Sequence, residues 1–345
     1  MKKKEREGRL MGVFEAMLTD LAASGTCNFA RTRLSERLRK KALVERPELK
    51  TATIDSFIAT NEAMGAIQLT VPCEILGEAR LFIAKALESY NSSLEPDGIQ
   101  QPLILSHLYD LWRFGPGASI QTAGFSTPEK LNQSMSYTRN AEQFVDKLRS
   151  THPYLSRIDA TNEGGMTVVD CSKLTTVPKN ETSLRTIAIE PSGNMCLQLA
   201  AGTYLDRVLK RVGLDIHAQQ EKNVALAKLG SFDGSLSTID LKAASDRISL
   251  PLVKSLFPKD WFDLFIALRS PAIHVPGHGV KRVRMMSTMG NGFTFPLMTL
   301  IFTSLLYAYH RFNSNIPRFI SWDQNAVYGD DIILPTVDYD GFCIL

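Results

Sequence analysis

Residues 326–335 read AVYGDDIILP, and their interpretation decides the fold. Ala326, Val327 and Tyr328 make one short apolar run, and Ile332, Ile333 and Leu334 make another. Gly329, Asp330 and Asp331 stand between them, where a tight turn joins the two strands of a hairpin. The expectation is strand, tight turn, strand, with two carboxylates, Asp330 and Asp331, at the tip. Gly-Asp is ordinary turn chemistry, so the tip acquires meaning only from its surroundings.

Working upstream, STIDLKAASD (237–246) carries a second acidic pair, Asp240 and Asp246. The run Leu236 to Leu241 reads as a short strand with Asp240 at its end, and pairing of either sense would set Asp240 beside Asp330. Ionised carboxylates at 4 Å repel by about 4 kcal/mol per pair at an effective dielectric near 20, so they must protonate, separate or bind cations. Carboxylate-rich oxygen sites suit Mg²⁺ or Mn²⁺, and two such ions about 3.5–4 Å apart clamp both oxygens of a phosphoryl transfer. Nucleotidyl transfer is the chemistry this pattern implies.

Between the acids lies STMGNGFT (287–294), a loop with Gly290 and Gly292 that opens the apolar helix expected at 297–309. Helical spacing of Leu252, Val253, Leu256 and Phe257 is broken at Pro258 and resumed at Trp261, Leu264, Phe265 and Leu268. A hairpin is expected around Pro276 and Gly277; these two residues separate His274 from His278, which therefore do not form a zinc pair on one helix face. Further upstream, the β-branched runs TVV (167–169), LTTV (174–177) and TIAI (186–189) are joined by PKNETSLR, giving strand, basic loop, strand. Lys179 and Arg185 on that loop suit a triphosphate. Helix resumes around Asn194 to Leu214, and residues 1–150 read mostly helical, beginning with an amphipathic helix on Leu10, Val13, Phe14, Met17, Leu18 and Leu21. Trp112, Trp261 and Phe265 are expected in the core, and Met285, Met286, Met289 and Met298 in packing roles.

Composition sets the outer limits. With 345 residues, 44% hydrophobic and a formal net charge of +3, the chain can build a sizeable core, and disorder and fibres are excluded. Charge is unevenly placed: RTRLSERLRKK (31–41) has six basic residues and one acid, whereas 323–345 has five aspartates and no Lys or Arg. The five cysteines are scattered without a CxxC pair, so neither a disulfide scaffold nor a zinc site is expected. The apolar run Leu297 to Tyr309 falls short of the roughly 20 residues of a membrane span, so no membrane segment is expected.

Taken in order, VPKNETSLRTIAIEP (177–191), STIDLKAASDRISL (237–250), SPAIHV (270–275), STMGNGFTF (287–295) and VYGDDIILP (327–335) resemble the replicase catalytic subunit of the leviviruses, the single-stranded RNA bacteriophages. A GDD alone is common, whereas polymerase motifs F, A, B and C in sequence order are specific. The resemblance covers most of residues 150–345 and weakens toward the N-terminus.

What the resemblance implies is an α+β fold, a right-handed polymerase of fingers and palm. Its palm would be an antiparallel sheet flanked by helices, the thumb missing and the chain truncated after motif C. Residues 1–150 would be a helical N-terminal and fingers region, 151–230 fingers with motif F, and 231–345 a C-terminally incomplete palm with motifs A, B and C. Asp240, Asp330 and Asp331 would be catalytic and hold two Mg²⁺ ions, with Mn²⁺ as a substitute, and with the Leu241 carbonyl helping one of them. Lys179, Arg185, Asp246 and Asn291 would meet the nucleotide, Asp246 near its ribose. Gly290, Asn291 and Gly292 would touch template and nascent pair.

Pro296 and Met298 depart from the family, which commonly has acids there, so ribose selection through that segment lacks its usual side chains. The implied activity is RNA synthesis on viral single-stranded RNA from ribonucleoside triphosphates, in the cytoplasm of an infected bacterium. Host elongation factors Tu and Ts and a ribosomal protein would be partners. Two other readings stay open: a reverse transcriptase-like polymerase, and a truncated non-catalytic product that binds RNA or host factors.

Overall fold

A computed structural model describes residues 47–94, 103–121, 127–131, 133–152, 166–180, 183–313 and 321–345, with Val13, Ala16, Met17, Thr19, Asp20 and Leu155 besides. Val13 and Met17 are helical and exposed, while the rest of the expected N-terminal amphipathic set and the basic run 31–41 lie outside the described residues. The chain divides into two compact units, Met1–Ala59 with Thr175–Ile187, and Thr60–Leu174 with Ala188–Leu345.

The elements used below are helices α1 (Pro47–Ala66), α2 (Cys73–Leu94), α3 (Ser192–Arg211), α4 (Gln219–Asp233), α5 (Leu250–Leu256), α6 (Lys259–Leu268) and α7 (Thr294–Asn313). The strands are β1 (Ser136–Thr138), β2 (Thr167–Val169), β3 (Ser172–Asn180), β4 (Ser183–Ile189), β5 (Leu236–Asp240), β6 (Ala272–Val275), β7 (Gly279–Arg282), β8 (Ala326–Tyr328) and β9 (Asp331–Pro335). Helices and sheets are mixed, as an α+β fold requires.

In the larger unit, α7 is apolar around most of its circumference, with Leu297, Leu300, Ile301, Leu306 and Ala308 fully buried. A helix of that kind must be enclosed, and α2 and α3 pack against it. The punctuation read from the sequence holds at α5: the Ser249 side chain caps it by accepting from the Leu252 N–H at 3.2 Å, a proline sits in its first turn, and Pro258 begins the approach to α6. Edge-on and tilted aromatic contacts tie these helices together, with ring centroids 5.0 Å apart for Tyr204–Trp261, 5.4 Å for Trp261–Phe265 and 5.0 Å for Phe265–Phe293. Trp261 and Phe265 are fully buried as expected, but Trp112 is only half-buried at the margin of this core. Met285, Met286 and Met298 are buried and Met289 half-buried. Truncating Trp261 to alanine is expected to cost about 3–5 kcal/mol of unfolding free energy, read by denaturant titration.

The β5–β9–β8 sheet is antiparallel with β9 in the centre, and α4 packs along β5 and β8. Helix α4 has no counterpart in the sequence reading. Its apolar residues do not keep to one face: Val224 and Phe232 are 65% and 82% exposed, so no periodic stripe announces it. Strand β1 was likewise not anticipated within a segment read as helical; its residues Ser-Tyr-Thr carry no apolar alternation, and it forms by parallel pairing with β2.

The hairpin β6–β7 turns at Pro276 to His278, and β6 pairs in parallel with the first residues of β3, Ser172 opposite Ile273. Asn61 secures the far end of β7 by donating to the Arg282 carbonyl at 2.9 Å and accepting from the Arg284 N–H at 2.9 Å. Among the described residues no helix is long and apolar enough to cross a membrane.

Candidate active site

The β8–β9 hairpin places its acids as the sequence suggests, with one refinement in register. Tyr328 and Asp240 both lie opposite Asp331, so Asp240 faces the second acid of the tip, with Asp330 next to it in the turn. Directly opposed residues of antiparallel strands carry their side chains on the same face, with Cβ atoms about 4.5–5.5 Å apart.

Gly329 is the first turn residue and has φ +63°, which the turn requires and side chains resist. Its N–H donates to Thr299 Oγ1 at 3.0 Å, and a Cβ there would lie 2.5 Å from the Phe295 ring. Phe295 also meets Tyr328 edge-on, with centroids 4.8 Å apart. The first turns of α7 therefore fix where the tip points.

Electrostatics at the tip is that of crowded like charges. Burial raises the Asp331 carboxyl above its ordinary value, and the charges of Asp330 and then Asp240 add to it. Among the described residues no three His, Cys, Asp or Glu side chains are gathered closely enough to hold a metal ion. The donor chemistry nevertheless fits a hard divalent cation: Asp240, Asp330 and Asp331 offer only oxygen and share one end of the sheet, and the charges of the other two help to raise the Asp331 carboxyl. Leu241, whose carbonyl was expected to help, follows β5 and is half-buried.

After Asp240 the chain bends back on itself. Ala243 adopts φ +53°, an uncommon conformation for a residue with a Cβ, and leads into a single 3₁₀ turn, Ala244–Arg247. That bend carries Asp246 inward, where it is 9% exposed and its Oδ1 accepts from the Met289 N–H at 3.3 Å. The carboxylate expected near a ribose is thus engaged by the backbone of the glycine loop. The two segments run together: the Met286 N–H donates to the Ile248 carbonyl at 2.7 Å, and Ser249 bridges Met285.

Asn291 shapes the loop from within. Its Oδ1 accepts from the Thr288 N–H at 2.7 Å and from Thr288 Oγ1 at 3.0 Å, and the residue is 8% exposed. Gly290 has φ +121° and lies against the end of β4, where the Ala188 N–H donates to the Met289 carbonyl at 2.8 Å. The Gly292 N–H donates to Gln198 Oε1 at 3.2 Å. Pro296 and Met298, where the family commonly has acids, are both buried, in keeping with their apolar character.

Lys179 on β3 and Arg185 on β4 are both exposed and belong to the smaller unit. The sequence reading missed the groups beneath the loop. Glu190 and Gln198 are 2% and 0% exposed and hydrogen-bonded to each other at 3.2 Å. A carboxylate closing the apolar run TIAI and an amide within an apolar helix were the available signals.

Comparison with known proteins adds an independent finding. A family model described as RNA replicase, beta-chain, matches residues 57–340. The RNA-directed RNA polymerase subunit beta of Escherichia virus Qbeta is 40% identical over 188 residues, covering 53% of this chain and 31% of that protein. The subunit of the same name from Enterobacteria phage SP is 42% identical over 167 residues, 48% of this chain and 28% of its own length. The RNA-directed RNA polymerase beta chain of Enterobacteria phage fr is 44% identical over 161 residues, 47% and 28% of the two chains. The matched stretch spans about a third of the length of these relatives.

Proposed function

This chain belongs to the RNA replicase beta-chain family, and on that premise we propose that it carries the nucleotide-joining part of an RNA-directed RNA polymerase. The substrates in this reading are a viral single-stranded RNA template and ribonucleoside triphosphates. A primer 3′-hydroxyl attacks the α-phosphate, the bond to the β-phosphate breaks, and pyrophosphate leaves. Residues 231–345 act as palm, 151–230 as fingers with the basic hairpin, and the preceding helices as further fingers. Partner subunits, including the host elongation factors and ribosomal protein that the resemblance implies, belong to the same proposal.

The observation that supports this most is the register of Asp240 opposite Asp331, beside Asp330. Asp240, Asp330 and Asp331, with the Leu241 carbonyl, would hold two Mg²⁺ ions, which when bound supply charge neutralisation at the attacking and leaving oxygens. The chain's own residues orient these acids: Thr299 and Phe295 fix the turn, and Tyr328 braces it from the neighbouring strand. Asp246 and Asn291 hold the loop that would meet the nascent pair, so sugar selection rests on the surface they shape. Lys179 and Arg185 neutralise the triphosphate.

The test is template-directed extension, measured for the chain itself and for the Qbeta virus subunit in which this chain's sequence replaces the matched stretch. Ribonucleotide incorporation is expected. Preferred use of deoxyribonucleotides favours a reverse transcriptase, and RNA binding without extension in either protein favours the non-catalytic reading. Within the same assay, Arg185→Ala is expected to raise the nucleotide KM roughly tenfold, with kcat and template affinity little changed, because a charge-assisted phosphate contact is lost. An effect confined to template affinity would reject that role.

A further inference from the structure

Beneath the 288–292 loop lies a buried polar cluster that none of the assigned roles uses. Glu190, at the end of β4, is 2% exposed, and its Oε2 accepts from Ser270 Oγ at 2.7 Å and from Gln198 Nε2 at 3.2 Å. Gln198 in turn gives its Nε2 to the Leu268 carbonyl at 2.9 Å and turns its Oε1 to the Gly292 N–H at 3.2 Å. Asn291 Nδ2, buried without a hydrogen-bond partner among the described residues, favours the ionised form of Glu190 electrostatically without reaching hydrogen-bond geometry. Arg269, close enough for its charge to be supported by Glu190, spends its Nη1 on the carbonyls of Val283 and Met285 at 3.2 and 2.8 Å.

A carboxylate is costly to bury, and burial raises the Glu190 carboxyl above its ordinary value despite these donors. In its ionised form it offers only acceptors to the donors around it. Ser270 and Gln198 both donate to it, and together with the Leu268 carbonyl this polarity holds the Gln198 amide in the orientation that leaves its oxygen for Gly292.

We propose that Glu190 is a positioning residue for the glycine loop: through Gln198 it fixes the Gly292 amide, and so the surface that meets the incoming nucleotide. The nucleotide part rests on the polymerase reading above, whereas the effect on the loop does not. Glutamine at position 190 keeps one oxygen for Ser270 and Gln198 but loses the charge and brings an amide donor of its own, so the grip on Gln198 weakens, and with it the hold on the Gly292 N–H.

The experiment compares the wild-type chain with Glu190→Gln by hydrogen exchange across residues 286–293 and by single-nucleotide extension. Expected are about tenfold faster exchange at the loop, as for loss of one hydrogen bond, with α7 unchanged, and a nucleotide KM raised several-fold while kcat falls less. Should Glu190→Gln fail to fold, Gln198→Met, which keeps the volume and removes the amide, is expected to loosen the same loop. Unchanged loop exchange in a folded variant overturns the proposal. So does an equal fall in kcat and kcat/KM with KM constant. Faster loop exchange in a chain whose wild type extends no primer upholds the positioning role and counts against the polymerase reading alone.

Discussion

With Asp330→Asn, nucleotide addition falls by roughly a thousandfold or more while the chain unfolds at nearly the wild-type temperature. Asparagine matches aspartate in shape and suits a turn, and Asp330 is only half-buried, so the hairpin keeps its geometry. Removing one of three crowded negative charges relieves repulsion on Asp331 and does not strain the sheet. What is lost is an anionic oxygen ligand where the proposed chemistry needs a dication. The comparison is single-nucleotide extension against thermal unfolding, with Asp323→Asn, an exposed acid on another loop, as the control expected to change neither. Wild-type turnover in Asp330→Asn would remove Asp330 from the site.

Gly290→Ala is the second large effect and comes from backbone, not charge. At φ +121° an alanine is strained in itself, and its Cβ would lie 2.2 Å from the Ala188 carbonyl oxygen. That oxygen belongs to the end of β4, which cannot swing aside as a long side chain would. The loop must therefore part from β4, stretching the bond between the Ala188 N–H and the Met289 carbonyl. A loss of about 1–3 kcal/mol in unfolding free energy is expected, with extension reduced at least tenfold. Gly77→Ala serves as the counterpart: it lies inside α2 with nothing near its Cβ position, and alanine there should stabilise the helix by up to about 1 kcal/mol. If both substitutions behave alike, the close approach at Gly290 is not what holds the loop.

The tip hairpin, the break between α5 and α6, the β6–β7 turn and the enclosed helix α7 were all legible as residues in order. Each is governed by a few neighbouring side chains: alternation or helical spacing of apolar groups, a proline that cannot donate, a glycine where φ must be positive. The identities of the candidate acids were legible for a different reason, since motif order survives in a string of letters.

Tertiary structure alone decided that Asp240 stands opposite Asp331, that Asp246 and Asn291 spend their oxygens on the glycine loop, and that Glu190 lies beneath it. It also made helix of 219–233, whose exposed Val224 and Phe232 obscure any stripe. The physical reason is that strand register and the partner of a buried polar group are set by segments far apart in the chain. No local spacing encodes which distant donor a carboxylate will meet once water has been excluded from both.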